Sequence, residues 1–131
     1  MSPVSGRYLL DTDILIEYLR GREPAVAFLE GLEGEWLLSA ITVAELFSGA
    51  RGAAEEQTLD HFLLAFEVIP VDEELARAGG RYRRDHGPRH GTGLADAVIA
   101  ATADRAGAVL VTFNRRHFPM LKRVRVPYPR K

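Results

Sequence analysis

The sequence predicts an α/β fold built around a mainly parallel sheet. Short apolar runs alternate along the chain with longer segments in which apolar residues recur at helical spacing. Gly and Pro occur in short clusters between these segments, and no internal repeat interrupts them. The 131 residues, 47% of them hydrophobic, suit one domain with its own core, so we expect residues 1–131 to form a single domain.

The first half of the chain predicts three strands and four helices. Ile14, Leu15, Tyr18 and Leu19 show the helical spacing most clearly, and Gly21 ends that helix. The three apolar runs are short enough to be strands, and the proline in the third favours an edge position. The predicted strands are residues 8–10, 36–39 and 68–71, and the predicted helices are 13–20, 25–32, 42–50 and 54–66.

The second half predicts two helices, a loop and two strands. Asp72 is a suitable N-cap for the first helix, and Gly107 follows the second. The apolar run at 108–112 is the clearest buried strand of the chain. The predicted helices are residues 72–84 and 94–106, the Gly-rich basic loop is 86–93, and the strands are 108–112 and 124–126.

Composition excludes several kinds of protein. The chain has no cysteine, which excludes disulfides, thiolate zinc sites and cysteine nucleophiles. No apolar run approaches the roughly 20 residues that a membrane helix needs. Asp11 and Asp13 interrupt the first apolar stretch, which argues against a signal peptide. We therefore expect a cytoplasmic protein without a membrane partner.

The charges are divided unevenly along the chain. Residues 1–80 hold 15 Asp and Glu but only 5 Lys and Arg, whereas residues 81–131 hold 3 acidic and 12 basic residues. The stretch 115–131 carries seven Lys and Arg and no acid. This basic end suggests a polyanionic partner such as nucleic acid, although a solvated basic surface would look the same.

Polar side chains follow two of the predicted strands directly. Asp11 and Asp13 flank Thr12 after the first strand, and Thr112 and Asn114 follow the strand at 108–112. Parallel sheets bind ligands outside the carboxyl ends of their strands. One carboxylate would suffice to cap the first helix, so the pair Asp11 and Asp13 exceeds what capping requires.

Two further carboxylates are candidates for the same site. Glu45 has a strong structural explanation, because Thr42 and Glu45 form a capping box with Thr42 at the N-cap. Asp96 has Ile99 and Ala100 one helical turn on, and a carboxylate on such a face is costly unless it is paired or binds a cation. These oxygens select Mg²⁺ or Mn²⁺, which would activate water for attack on a phosphodiester.

The basic half of the chain would then hold backbone phosphates. Arg115, Arg116, Lys122 and Arg123 are the candidate phosphate contacts. The histidines show no metal-ligand spacing, so we assign none of them to the site.

Four segments in order resemble the motifs of one family. Residues 9–16, 42–46, 94–103 and 110–118 are similar to the four motifs of PIN-domain ribonucleases, and their spacing is that of the VapC toxins of bacterial VapBC toxin–antitoxin systems. The resemblance implies an α/β/α sandwich and a Mg²⁺- or Mn²⁺-dependent endoribonuclease. It also implies a homodimer silenced by a VapB-type antitoxin whose tail covers the acidic cleft.

The resemblance also implies roles for individual residues. Asp11, Glu45 and Asp96 would bind the metal, Thr112 would lie beside the site, and Asp13 would be auxiliary. Asn114 stands where many relatives have a fourth Asp, and a neutral amide there adds no charge for a second metal.

Two alternatives stay open at the sequence level. The Asp-x-Asp pattern at Asp11 and Asp13 also resembles haloacid-dehalogenase-type phosphatases, in which the first Asp is a nucleophile. The hydrophobic residues that follow differ from the Gly-Thr usual in those enzymes. A non-catalytic module that binds RNA or protein is the second alternative, and Asn114 is its support.

Overall fold

A five-stranded parallel sheet runs through the centre of the protein. The structure is a computed structural model, and it describes residues 6–130. The strands are β1 (Arg7–Leu10), β2 (Glu35–Ser39), β3 (Glu67–Ile69), β4 (Val109–Val111) and β5 (Val124–Arg125). The helices are α1 (Thr12–Leu19), α2 (Glu23–Glu30), α3 (Ala40–Ser48), α4 (Gly52–Leu63), α5 (Glu73–His90) and α6 (Leu94–Ala106), and a short 3₁₀ helix spans Arg115–His117.

The strand order places β1 at the centre of the sheet. The order is β3-β2-β1-β4-β5, and every neighbouring pair is parallel. Leu9 lies opposite Leu37 of β2 on one side and Leu110 of β4 on the other. The chain therefore winds outward from β1 in one direction through β3 and in the other through β5, and a crevice forms where the direction changes.

Both faces of the sheet are buried beneath helices. Alternate strand residues point to opposite faces, so Leu10 and Val111 pack with Ile14 of α1, whereas Leu9 and Leu110 pack with α6. All of these side chains are fully buried. The predicted α/β fold with a parallel sheet and its α/β/α sandwich architecture are therefore confirmed.

Helices α5 and α6 pack closely through a glycine. A Cβ placed on Gly79 would lie 3.0 Å from Cγ2 of Val98 and 3.1 Å from its Cα. Contacts this short would require α6 to shift by a few tenths of an ångström, so Gly79 permits the close approach. The neighbouring Gly80 has open space around it.

The prediction that Thr42 caps its helix is wrong. Helix α3 begins at Ala40, and its N-cap is Ser39, whose side chain accepts a hydrogen bond from the N–H of Ile41. The sequence offers two N-capping residues here, and β2 carries Ser39 directly into the helix start. Thr42 is fully buried inside the helix, and its hydroxyl has no hydrogen-bond partner among the described residues. Glu45 is therefore free of the capping role.

The predicted basic loop at 86–93 is also largely wrong. Helix α5 continues to His90 with Pro88 inside it, and Gly91 ends it in the left-handed conformation at φ 68°. Proline removes one backbone N–H, but packing along α6 outweighs that loss. The other predicted elements are present, with no end displaced by more than three residues and with α6 matching at both ends. Across residues 6–130, no helix has the length and apolar character needed to span a membrane.

Candidate active site

The carboxyl ends of β1 and β4 bring the first two candidate residues together. The N–H of Asp11 donates to the carbonyl of Val111 at 2.9 Å, which extends the pairing of these strands by one residue. The hydroxyl of Thr112 then lies 2.7 Å from Oδ2 of Asp11. Asp11 also caps α1, since its Oδ1 accepts from the N–H of Thr12 at 2.8 Å. One buried carboxylate thus joins the sheet edge to the start of α1.

Asp13 is held by the segment that follows β4. Its Oδ2 accepts from the N–H of Phe113 at 3.0 Å and from Nδ2 of Asn114 at 3.2 Å. The hydroxyl of Thr112 lies 3.2 Å from the same oxygen. Asn114 therefore orients Asp13 through its amide nitrogen, while Thr112 lies between the two carboxylates.

Glu45 reaches the cluster from α3. The hydroxyl of Thr12 donates to Oε1 of Glu45 at 2.5 Å, and Thr12 is the residue next to Asp11. Because α3 begins at Ala40, Glu45 lies in its second turn, with the carboxylate directed to the first turn of α1. Sequence reasoning did not identify Thr12 as the link between these residues.

Asp96 completes the acidic cluster from the first turn of α6. Its Oδ2 accepts from the N–H of Gly93 at 3.2 Å and lies 3.3 Å from Nδ1 of His117. It is close enough to Asp11 for its charge to raise the pKa of that residue. The structure thus collects all six predicted site residues at one edge of the sheet: Asp11, Asp13, Glu45, Asp96, Thr112 and Asn114.

Burial makes this cluster electrostatically strained. The pKa of Asp11 is raised from 3.8 to about 7, first by burial, then by the nearby charge of Asp13, and less by Asp96. Hydrogen bonds from Thr112 and Thr12 oppose this rise. Burial also raises the pKa of Asp13, against hydrogen bonds from backbone N–H groups and the charge of Arg130. A bound cation would relieve both carboxylates.

The donor set fits a hydrated hard cation. Among residues 6–130, no three His, Cys, Asp or Glu side chains are grouped so that they could hold a metal directly. Mg²⁺ does not need such a cage, because it keeps several waters and usually binds one or two carboxylates. Asp11, with its raised pKa, and the neighbouring Glu45 and Asp96 match that requirement in oxygen chemistry.

Two basic residues next to the acids, His117 and Arg130, were not predicted. His117 contacts Asp96, although its position in the sequence shows no metal-ligand spacing. Arg130 stacks over the ring of Phe113 at 4.1 Å, and Tyr128 meets the same ring edge-on at 5.1 Å. The basic end of the sequence was the available signal, but it does not say which cations reach the acids.

The structure separates the four predicted phosphate contacts. Arg123 donates to the carbonyl of Gly107, which lies at the amino end of β4 and thus away from the acids. Arg115 donates to the carbonyl of Val124. Arg116 lines an open cleft beside His117. No contact in the described structure distinguishes Lys122.

A larger cleft of about 490 Å³ opens on the Glu45 side of the cluster. It lies between α1, α3 and α4, and Ile16 and Leu19 form part of its wall. Both side chains are more than one-third exposed. The acidic cluster therefore has an apolar groove beside it, whose lining also includes the charged side chains of Arg20, Arg51 and Glu55.

Together, the sheet topology and the acidic cluster define a parallel α/β protein with an oxygen-lined site at the carboxyl edge. The PIN domain family model matches residues 8–125. Ribonuclease VapC10 of Mycobacterium tuberculosis is 39% identical over 126 residues, which cover 92% of both chains. Ribonuclease VapC19 of the same species is 39% identical over 124 residues, covering 92% of this chain and 98% of the relative. A toxin–antitoxin complex from Klebsiella pneumoniae contains a chain that superposes with a TM-score of 0.79 at 31% identity, covering 92% of this chain and 98% of that one. The chain belongs to the PIN-domain family, within its VapC group.

Proposed function

We propose that the protein is a metal-dependent endoribonuclease and the toxin of a type II toxin–antitoxin system. The observation that carries the proposal is the acidic cluster around the buried Asp11, in which Asp11 and Asp13 share one hydroxyl while Glu45 and Asp96 adjoin them. Relatives named as VapC ribonucleases over nearly the whole chain support the same activity. This family membership favours a nuclease over the phosphatase alternative.

Asp11, Glu45 and Asp96 would hold Mg²⁺, or Mn²⁺ in its place. When bound, the metal would lower the pKa of a coordinated water and neutralise charge on the phosphodiester. The reaction adds water across one P–O bond of RNA. This part of the proposal rests on two observations. The donor atoms of the cluster are all oxygens, and burial raises the pKa of Asp11 without a basic residue nearby, among residues 6–130, to lower it.

The chain's own residues keep the carboxylates in position. Thr112 donates to Asp11, and Thr12 donates to Glu45. Gly93 holds Asp96 through its backbone N–H. Because each carboxylate has a fixed donor, little reorganisation is needed when substrate binds.

We propose a VapB-type antitoxin as the protein partner. The structural relatives include toxin–antitoxin complexes, and the acidic cluster would attract a basic residue from such a partner. The apolar groove along Ile16 and Leu19 suits an amphipathic segment beside it. Pairing as a homodimer stays a prediction, which light scattering on the purified protein would check.

Cleavage of total cellular RNA by the purified protein tests the proposed activity. We expect discrete fragments with Mg²⁺ or Mn²⁺, none with EDTA, and none from a folded Asp96→Ala variant. Asp60→Ala, which removes an exposed carboxylate of α4, is the matched control and should cleave normally. Retained cleavage by folded Asp96→Ala would contradict the assignment. Intact RNA with the wild type would favour the non-catalytic binding module.

A further inference from the structure

A second, smaller cleft adjoins the acidic cluster on the Asp96 side. Its volume is about 280 Å³, and it lies between the end of α5 and the 3₁₀ helix. Its lining is basic apart from one glycine: Arg89, His90, Gly91, Arg116 and His117. None of these side chains was placed in the predicted catalytic set.

Within the part of the chain that the structure describes, the two arginines of this cleft have no carboxylate partner. Arg77 and Arg105, by contrast, lie within 3.0 Å of acidic oxygens on or beside α5. Across residues 6–130, no ion pair includes Arg89 or Arg116. A basic residue in the last turn of a helix stabilises that end of the helix. This role explains the presence of Arg89 in α5. It does not explain why Arg116, from a different element, opens onto the same cleft.

The walls of the cleft are fixed by the fold. Thr92 is buried, and its hydroxyl donates to the carbonyl of His117 at 2.6 Å. Gly91 turns in the left-handed conformation, and a Cβ there would lie 3.5 Å from Nε2 of His117. The α5–α6 connection is thus joined directly to the 3₁₀ helix by a hydrogen bond, which holds together the two segments that carry Arg89 and Arg116.

His117 connects this cleft to the acidic cluster. Its Nδ1 lies 3.3 Å from Oδ2 of Asp96, while the residue also lines the cleft. A cluster of carboxylates repels a polyanionic strand, and unpaired cations beside it would offset that repulsion. We infer that the cleft is a phosphate subsite, in which Arg89 and Arg116 bind a backbone phosphate of RNA next to the bond that is cut. This inference rests on the proposed ribonuclease function.

Binding of RNA without turnover tests the subsite separately from cleavage. The probe is a fluorescent single-stranded RNA of mixed sequence, titrated by anisotropy in EDTA at several salt concentrations. The test variant is Arg89→Gln/Arg116→Gln. The control is Arg22→Gln/Arg77→Gln, which removes the same charge at two exposed residues, Arg22 just before α2 and Arg77 beside Glu73 near the start of α5. Thermal unfolding verifies that both variants are folded.

We expect the test variant to bind RNA more weakly and with less salt dependence. Each lost phosphate contact makes the plot of log K against log salt less steep by about 0.7. At ~0.1 M salt this change corresponds to about fivefold weaker binding. Because the two arginines bind one phosphate, we expect the test variant to bind about fivefold more weakly, whereas the control keeps the wild-type slope. In cleavage assays the same variant should show a raised KM with kcat nearly unchanged.

Three results would overturn the subsite. They are wild-type binding by the test variant, equal loss in both variants, and no RNA binding by the wild-type protein in EDTA. A wild-type protein that binds RNA at this cleft but never cuts it would instead refute the proposed nuclease. The two failures are therefore distinguishable.

Discussion

Replacing Asp11 with Asn should stabilise the metal-free protein at neutral and alkaline pH. Asp11 is 5% exposed, and its pKa is raised from 3.8 to about 7, chiefly by burial. Folding therefore favours the protonated acid, and the charged form is penalised. Asn has nearly the same shape as protonated Asp and carries no charge, so it should escape the penalty.

The size of the effect follows from the displacement of the pKa. One pH unit corresponds to about 1.36 kcal/mol, so a rise from 3.8 to about 7 corresponds to at most about 4 kcal/mol. Because folding raises the pKa of this acid, protonated Asp11 stabilises the folded protein relative to the charged form. This stabilisation is complete below pH 3.8 and is lost as the pH rises through about 7. The wild-type free energy of unfolding should thus fall by about 2–3 kcal/mol between about pH 5 and about pH 8 because of Asp11.

Urea denaturation in EDTA at these two pH values measures the difference. We expect Asp11→Asn to remove most of the fall and to be more stable than wild type at the higher pH by up to about 4 kcal/mol. Asp60→Asn, on the exposed side of α4, should leave the pH dependence intact. An Asp11→Asn variant that keeps the full wild-type pH dependence would refute the argument that burial raises this pKa.

Three further changes test other parts of the structure. Arg130→Gln should lower kcat/KM for RNA by about fivefold at ~0.1 M salt, because it removes a cation beside the acids. The control is Arg125→Gln, which should leave kcat/KM unchanged because Arg125 stacks on a different ring. An equal effect of both would contradict this role. Gly79→Ala should destabilise the fold by about 1–3 kcal/mol, because its Cβ would lie 3.0 Å from a side-chain atom of α6. Gly80→Ala, one residue on in open space, should stabilise it by about 0.5–1 kcal/mol in the same denaturation assay. Thr42→Val should raise the free energy of unfolding by about 1 kcal/mol, because it removes a buried hydroxyl that has no partner among the described residues. A loss of stability would instead show that this hydroxyl is hydrogen-bonded.

Much of the fold could be predicted because its determinants are local. The apolar runs of β1, β2 and β4 are short, buried on both faces and followed by polar residues, which is the pattern of parallel strands. Asp11 could be identified for the same reason, since it stands where β1 ends. The residue at which α5 ends could not be predicted, because packing on α6 outweighs the local effect of Pro88.

The details of the site depend on contacts that sequence spacing does not determine. Ser39 and Thr42 are both good N-caps, and only the path of β2 decides between them. His117 meets Asp96 because the chain folds back after β4. Arg130 lies near Asp13 because its guanidinium stacks on Phe113, a contact for which the sequence shows no periodicity.

The bond between Thr112 and Asp11 has a consequence for synthesis of the protein. It joins residues 101 positions apart, and β4 pairs with β1 across the same separation. Chains emerge from the ribosome amino end first, at about 5–20 residues per second, and distant strands pair only when both are available. A nascent chain that already contains Asp11, Glu45 and Asp96 still lacks the strand that aligns them. We therefore expect the nascent chain to be unable to cut RNA until β4 has left the ribosome.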